Sequence, residues 1–232
     1  EGFIYMPVCT FVVIAGVDNF DESMEIQEEL TKRFTAEFSI RYFLKDYPLE
    51  TMKWMAKWAK SENCHVRRLA SEGCRPRLPM SIRLHRFVKD PREVMQILEV
   101  LKNDSELYVR RSVANNLNDI SKDHPDVVTD TLTRWQAEKV DPWLIKHALR
   151  TLLKQGNKRA LKLCGYNVDQ QVFCQNFKIE NERICLGENL NFTFDLDCSQ
   201  RGFFMVDFVV HHMKANGKLK PKVFKLSKAE FQ

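Results

Sequence analysis

Apolar residues recur at helical spacing up to about Tyr166 and alternate like strand positions from Gln170 onward. In the helical part, Val66, Ala70 and Cys74 form an i, i+4, i+8 stripe, which returns as Val109, Val113, Leu117 and as Leu144, Ala148, Leu152. The surrounding residues repeat with it: HVRRLASE (65–72), YVRRSVAN (108–115) and WLIKHALR (143–150), at offsets of 43 and 35 residues. An amphipathic segment precedes each of the first two, with Met52, Met55, Ala56 and Ala59 ahead of one and Val94, Ile97, Leu98 and Leu101 ahead of the other. Such periods predict stacked helical pairs of the HEAT type, roughly 40–47 residues each, so residues 1–166 are expected to form an α-solenoid.

Beyond a boundary at Gly165-Tyr166-Asn167, strand-like runs fall at Phe173, Phe177–Ile179, Ile184–Leu186, Leu190–Leu196 and Phe204–Phe208. Turn signals separate them at Leu186-Gly187-Glu188 and at the hairpin dipeptide Asn216-Gly217. The expectation is a mainly α chain, its HEAT-like solenoid (1–166) followed by a partial β-sandwich of the immunoglobulin kind (167–232). A complete sandwich of that type needs about 100 residues. With Glu1 as its first residue, the chain reads as truncated at both ends.

Off the core stripes, the repeat register aligns Arg68 with Arg111 and Lys146, His65 with Tyr108 and Trp143, and Glu72 with Asn115 and Arg150. Rows of cations and flat rings along one face suit a nucleic-acid backbone. The rings, Trp143 above all, suit padding between repeats equally well. One predicted helix also carries Asn115, Asn116, Asn118 and Asp119, all mediocre helix formers. They either serve a site, with Arg111, Asn115 and Asp119 at i, i+4, i+8, or cap and cross-link neighbouring helices.

Charge sharpens the picture. Residues 1–50 carry 4 Lys/Arg against 10 Asp/Glu, residues 51–166 carry 23 against 13, and the remainder is nearly balanced. Between His65 and Arg86 stand six arginines (67, 68, 75, 77, 83, 86), no lysine and a single acid, Glu72. Arginine without lysine favours planar, bidentate phosphate contacts over general solubility, the alternative being a solvated charged face. Seven scattered cysteines without a Cys-x-x-Cys pair, and histidines without ligand spacing, argue for reduced thiols in the cytosol and against a metal site. The longest apolar stretch, Phe3–Val17, contains Pro7 and falls short of the roughly 18–20 residues that span a bilayer; it also lacks the flanks of a signal peptide.

At these residues the chain resembles AlkC-type alkylpurine DNA glycosylases. The likeness is carried by Arg33–Arg41 (RFTAEFSIR), Val66–Pro79 (VRRLASEGCRPRLP), Tyr108–Pro125 (YVRRSVANNLNDISKDHP), Trp143–Leu153 and Val209–Leu226 with its KANGK turn (214–218). The resemblance implies a HEAT-like domain followed by an immunoglobulin-like one. It implies a monofunctional, metal-independent N-glycosylase that releases cationic alkylated bases such as 3-methyladenine from double-stranded DNA, without cofactor or obligate protein partner. By motif, the implied catalytic carboxylates are Asp119, Glu72 and Glu37, with Arg68 in contact with DNA. The Arg-rich face and the aligned columns add Arg75, Arg77, Arg111, Asn115, Trp143, Lys146 and Arg150 as expected DNA contacts.

Two positions depart from the family pattern. Met80 stands where a Trp is expected, replacing a ring face with a flexible thioether. Tyr42 stands where a Pro is expected. Competing functions for the same pattern are a DNA-binding scaffold without catalysis and a protein-interaction solenoid.

Overall fold

The computed structural model describes residues 2–169, 171–181, 183–199 and 201–231. Its helices are α1 (Met6–Ala15), α2 (Phe20–Thr31), α3 (Ile40–Asp46), α4 (Pro48–Trp58), α5 (Cys64–Gly73), α6 (His85–Lys89), α7 (Arg92–Leu101), α8 (Leu107–Ile120), α9 (Pro125–Ala137), α10 (Pro142–Ala148), α11 (Arg150–Lys154) and α12 (Lys158–Leu163). The strands are β1 (Val172–Ile179), β2 (Phe192–Cys198), β3 (Gly202–Met213) and β4 (Leu219–Phe231). The chain is thus mainly helical with an immunoglobulin-like C-terminal part. Among the described residues, no helix is long and apolar enough to cross a membrane.

Helix starts follow local chemistry. Proline opens α4, α9 and α10, where its missing N–H leaves no bond unmade. Asn63 and Asp141 cap α5 and α10 by accepting from the amides of His65 and Trp143. All nine residues of the three expected stripes are at most 2% exposed. Full burial of one aliphatic side chain is worth roughly 1.5–3 kcal/mol, so these stripes lock α5, α8 and α10 side by side. Ala56 is the exception among the expected core positions. It is exposed, because α4 turns Met52, Met55 and Trp58 inward instead.

The third repeat's inner helix is interrupted at Leu149. The Thr151 amide donates to Asn118 Oδ1 (3.2 Å) instead of to the carbonyl of His147, and Arg150 Nη1 donates to that carbonyl at 2.8 Å. Side chains thereby enter the i→i−4 ladder and divide the helix into α10 and α11.

The segment after α5 is held from behind. Arg41 on α3, fully buried, donates to the carbonyls of Gly73 (2.8 Å), Arg75 (2.7 Å) and Ile82 (3.0 and 2.6 Å). Burial holds the Arg41 guanidinium down at about 10. Gly73 allows the approach, since a Cβ there would stand 2.7 Å from Ile40 Cγ2 and 3.1 Å from Met55 Cε.

The chain divides into two compact units, residues 1–155 and 156–232. The boundary expected from the sequence lies eleven residues later. The linking stretch joins the second unit because Tyr166 stacks on Phe203 (5.1 Å between ring centroids) and Asn167 exchanges two hydrogen bonds with the Phe203 backbone, 2.9 and 2.8 Å. In that unit β1 pairs with β2 and β3 with β4, both antiparallel. Phe192 on β2 meets Phe208 on β3 at 5.5 Å, joining the two sheets. The Asn216-Gly217 hairpin forms as expected, with Gly217 at φ 74°. Ile184–Leu186 is not a strand: the chain turns through Gly187 at φ 96°, and Leu186 lies in solvent.

Candidate functional site

Six charged side chains alternate in sign along the seam between α5 and α8. Glu37, on the segment joining α2 to α3, pairs with Arg68 Nη1 at 2.6 Å. Arg68 reaches Glu72 Oε1 at 3.5 Å, and Arg75 Nη1 donates to the same oxygen at 2.6 Å. Arg75 then grips Asp119 Oδ2 from Nε (2.8 Å) and Nη2 (2.7 Å), and Lys122 takes Oδ1 at 2.9 Å. The three carboxylates implied by the resemblance therefore belong to one ion-pair chain, although they are up to 82 positions apart in sequence.

The chain is graded in depth. Glu37 and Arg68 are half-buried, while the Glu72, Arg75 and Asp119 side chains are 7%, 7% and 3% exposed. Charges so placed are tolerated only when paired and hydrogen-bonded. Glu72 Oε2 accepts from Ser112 Oγ at 2.6 Å, and Ser112 Oγ lies 3.0 Å from Ser71 Oγ. Ser112 occupies the column held by Leu69 in the preceding repeat, a core position. A small polar residue in a buried apolar column was a readable sign of a polar partner. Arg41, Lys122 and Ser112 were all missed from the sequence.

The arginine-rich segment is mostly turned to internal pairing. Arg67 bonds Asp104 (2.6 and 3.0 Å), Arg77 bonds Asp123 (2.7 and 2.6 Å) and Arg86 bonds Glu93 (2.6 Å). With Arg68 and Arg75 committed as above, Arg83 alone of the six makes no ion pair among the described residues. The count of six arginines to one acid was local in sequence, whereas the partners arrive from other segments. Arg77 holds the Asp123 carboxyl below its ordinary range. Arg75 was expected at a phosphate surface, and three of its N–H groups face carboxylates instead.

The seam between α8 and α10 is built differently. Arg111 and Lys146 are exposed and make no ion pair among the described residues. Asn115 Oδ1 accepts from Arg150 Nη2 (3.0 Å) and His147 Nε2 (3.2 Å). Trp143, about 39% exposed, stacks on His147 with centroids 4.9 Å apart and planes 10° from parallel. His65 meets Tyr108 edge-on at 5.6 Å, and the Arg68 guanidinium lies 5.2 Å from the Tyr108 ring. The asparagine cluster divides between the two readings. Asn116 donates to the Ser71 carbonyl (2.8 Å) and Asn118 accepts from Thr151, so both cross-link helices, whereas Asn115 and Asp119 look into the two seams.

Met80 sits at the tip of the segment that Arg41 holds. It is 97% exposed with φ 59°, a left-handed conformation costing an L residue roughly 1–2 kcal/mol. Tyr42 lies in the first turn of α3, where its amide donates to the Ser39 carbonyl at 3.2 Å, a bond the proline expected there would not make.

Residues 29–152 match the family model described as DNA alkylation repair enzyme, and residues 174–232 match that described as Uncharacterised protein YhaZ, C-terminal Ig-like domain. The chain is 38% identical over 218 residues to the Uncharacterized protein YhaZ of Bacillus subtilis (strain 168), covering 94% of this chain and 61% of that protein. It superposes with a TM-score of 0.91 and 41% identity on the Pseudomonas fluorescens alkylpurine DNA glycosylase AlkC bound to DNA containing an abasic site analog, covering 99% of this chain and 65% of that one. The chain thus spans just under two thirds of the length of both. With more than half of its residues in the first match, the chain belongs to the DNA alkylation repair enzyme family.

Proposed function

We propose that this chain is the glycosylase portion of a base-excision repair enzyme that hydrolyses the N-glycosidic bond of cationic alkylated bases, of the 3-methyladenine type, in double-stranded DNA. The observation that carries this reading is the ion-pair chain from Glu37 through Arg68, Glu72 and Arg75 to Asp119. The similarity to an alkylpurine DNA glycosylase over nearly the whole chain supports it. None of the seven cysteines is in a disulfide, which suits the reducing bacterial cytosol, where we place the activity.

An alkylated base already carries positive charge, so its departure needs little general acid and no metal. The bond from C1′ to the base nitrogen breaks with its electron pair going to the base, which leaves neutral. Positive charge then builds on the deoxyribose, as in other oxocarbenium-like reactions. Asp119 and Glu72 supply fixed negative charge where it develops, and their burial strengthens that field. A water adds to C1′, and its proton passes to one of the carboxylates. Asp119 is the principal carboxylate, Glu72 its partner and Glu37 the third. The chemistry ends at an abasic site, without strand cleavage. Arg111, Lys146 and Arg150, with Asn115 and Trp143, contact the strand; Arg68 and Arg77 contact it from within their ion pairs, while Arg75 holds the Glu72 and Asp119 carboxylates in place.

The test is release of 3-methyladenine from methylated duplex DNA by this chain and by Asp119→Asn and Glu72→Gln. We expect excision to fall roughly 10²–10³-fold in Asp119→Asn, the size of loss when one transition-state electrostatic contact is removed, with DNA affinity retained. Salt-dependent DNA binding without base release from the unaltered protein would instead establish the scaffold reading.

A further inference from the structure

His147 was assigned no part by the sequence, and it occupies an unusual position. Its ring is stacked on Trp143 and hydrogen-bonded through Nε2 to Asn115 Oδ1. That oxygen also accepts from Arg150 Nη2, which fixes it as the acceptor. Nε2 therefore carries a hydrogen, and a neutral ring keeps its lone pair on Nδ1. Nδ1 has no hydrogen-bond partner among the described residues.

The charged groups acting on the ring are Arg150 from α11 and Arg111 from α8; none reaches it from α9, and Lys146, the neighbouring residue on α10, is exposed. Among the described residues no carboxylate lies within ion-pair distance of His147, Arg111, Lys146 or Arg150. Burial, then Arg150 and Arg111, push the His147 imidazole below its ordinary value. His147, Arg111 and Arg150 thus come together with no paired carboxylate, Asp119 acting on Arg150 only from beyond ion-pair distance, and exposed Lys146 is next in the chain, which leaves the missing charge to a ligand.

We propose that His147 is a proton-linked ligand for a DNA backbone phosphate: neutral in the free protein, it takes a proton on Nδ1 when a phosphate settles among Arg111, Lys146 and Arg150. This rests on the DNA-binding reading above. The phosphate's negative charge offsets the two arginines and favours the imidazolium, which then donates to the phosphate oxygen. The sign follows from linkage. The bound form has the higher proton affinity, so the extra binding is fully present below the free-state pKa and disappears as pH rises through the bound-state value.

The experiment uses this chain with an unmodified 12-base-pair duplex at fixed salt. Affinity at pH 6, 7 and 8 is followed by fluorescence anisotropy, and proton uptake at pH 7 by calorimetry in two phosphate-free buffers of different ionisation enthalpy, PIPES and imidazole. Affinity should rise by about 3- to 10-fold from pH 8 to pH 6, within the ceiling of about 100-fold that one linked proton sets over two pH units. His147→Gln keeps an amide donor for Asn115 and should flatten the profile. His85→Gln, exposed on α6, should leave the profile unchanged. Nitrogen-15 shifts of the His147 ring should move from a neutral Nε2–H tautomer to an imidazolium on adding the duplex. Binding without pH dependence, or a dependence that survives in His147→Gln, overturns this inference while leaving the DNA reading intact. Absence of duplex binding at every pH defeats both.

Discussion

The two flanks of α8 show how one repeat register yields opposite electrostatics. Towards α5, three acids and three bases alternate in one ion-pair chain, with the central members buried. Towards α10, arginine, lysine and histidine stand without a paired carboxylate, Arg111 and Lys146 exposed and His147 and Arg150 half-buried. The first arrangement fixes atoms in place before any ligand arrives, as a catalytic centre requires. The second offers positive charge with no paired carboxylate, the condition under which a surface attracts an anion. Residues one helical turn apart, Asn115 and Asp119, serve the two sides.

The contrast is most severely tested by removing one arginine from each flank. Arg75→Met strands Glu72 and Asp119 with too few partners, and breaking a buried pair in this way costs about 3–5 kcal/mol. Arg111→Ala should stay within about 0.5 kcal/mol of the unaltered protein, while lowering the salt slope of DNA binding by about one unit. Urea titrations of both variants decide; comparable destabilisation would show that the open flank is structural as well. Ser112→Ala comes next, leaving Glu72 Oε2 without its donor, with an expected stability loss of about 1–3 kcal/mol. A loss near zero would mean that another donor replaces the hydroxyl. The smallest effect is chemical. Burial pushes the Cys74 thiol, on the closed flank, up to about 12, so it should resist a thiol reagent at pH 8 that modifies exposed Cys174 and Cys185. Rapid Cys74 modification in the folded protein would show the closed flank opening.

The helical register was legible because burial obeys a period: nine stripe positions spaced by four are nine core positions. What depends on distant partners was not. The arginine-rich stretch read as a phosphate surface because Asp104, Asp123, Glu93 and Asp119 lie outside it in sequence. Ala56 misled because alanine is apolar enough to fit a stripe yet too small to require burial. The compact units divide before the end of the helical pattern because Tyr166 and Asn167 attach to Phe203, 37 and 36 residues on. The three carboxylates came from resemblance to a family; spacing alone would not have joined Glu37 to a site 35 residues away.

Arg41 carries a lesson for dissecting this protein. A fragment beginning at Ser61 would retain Glu72, Arg75, Asp119 and every helix from α5 onward, and would look like a minimal core. It would lack the guanidinium that ties the carbonyls of Gly73, Arg75 and Ile82 together. The segment bearing Arg75 would then keep its sequence and lose its tether, so the first sixty residues are part of the site's framework although only Glu37 among them enters the ion-pair chain.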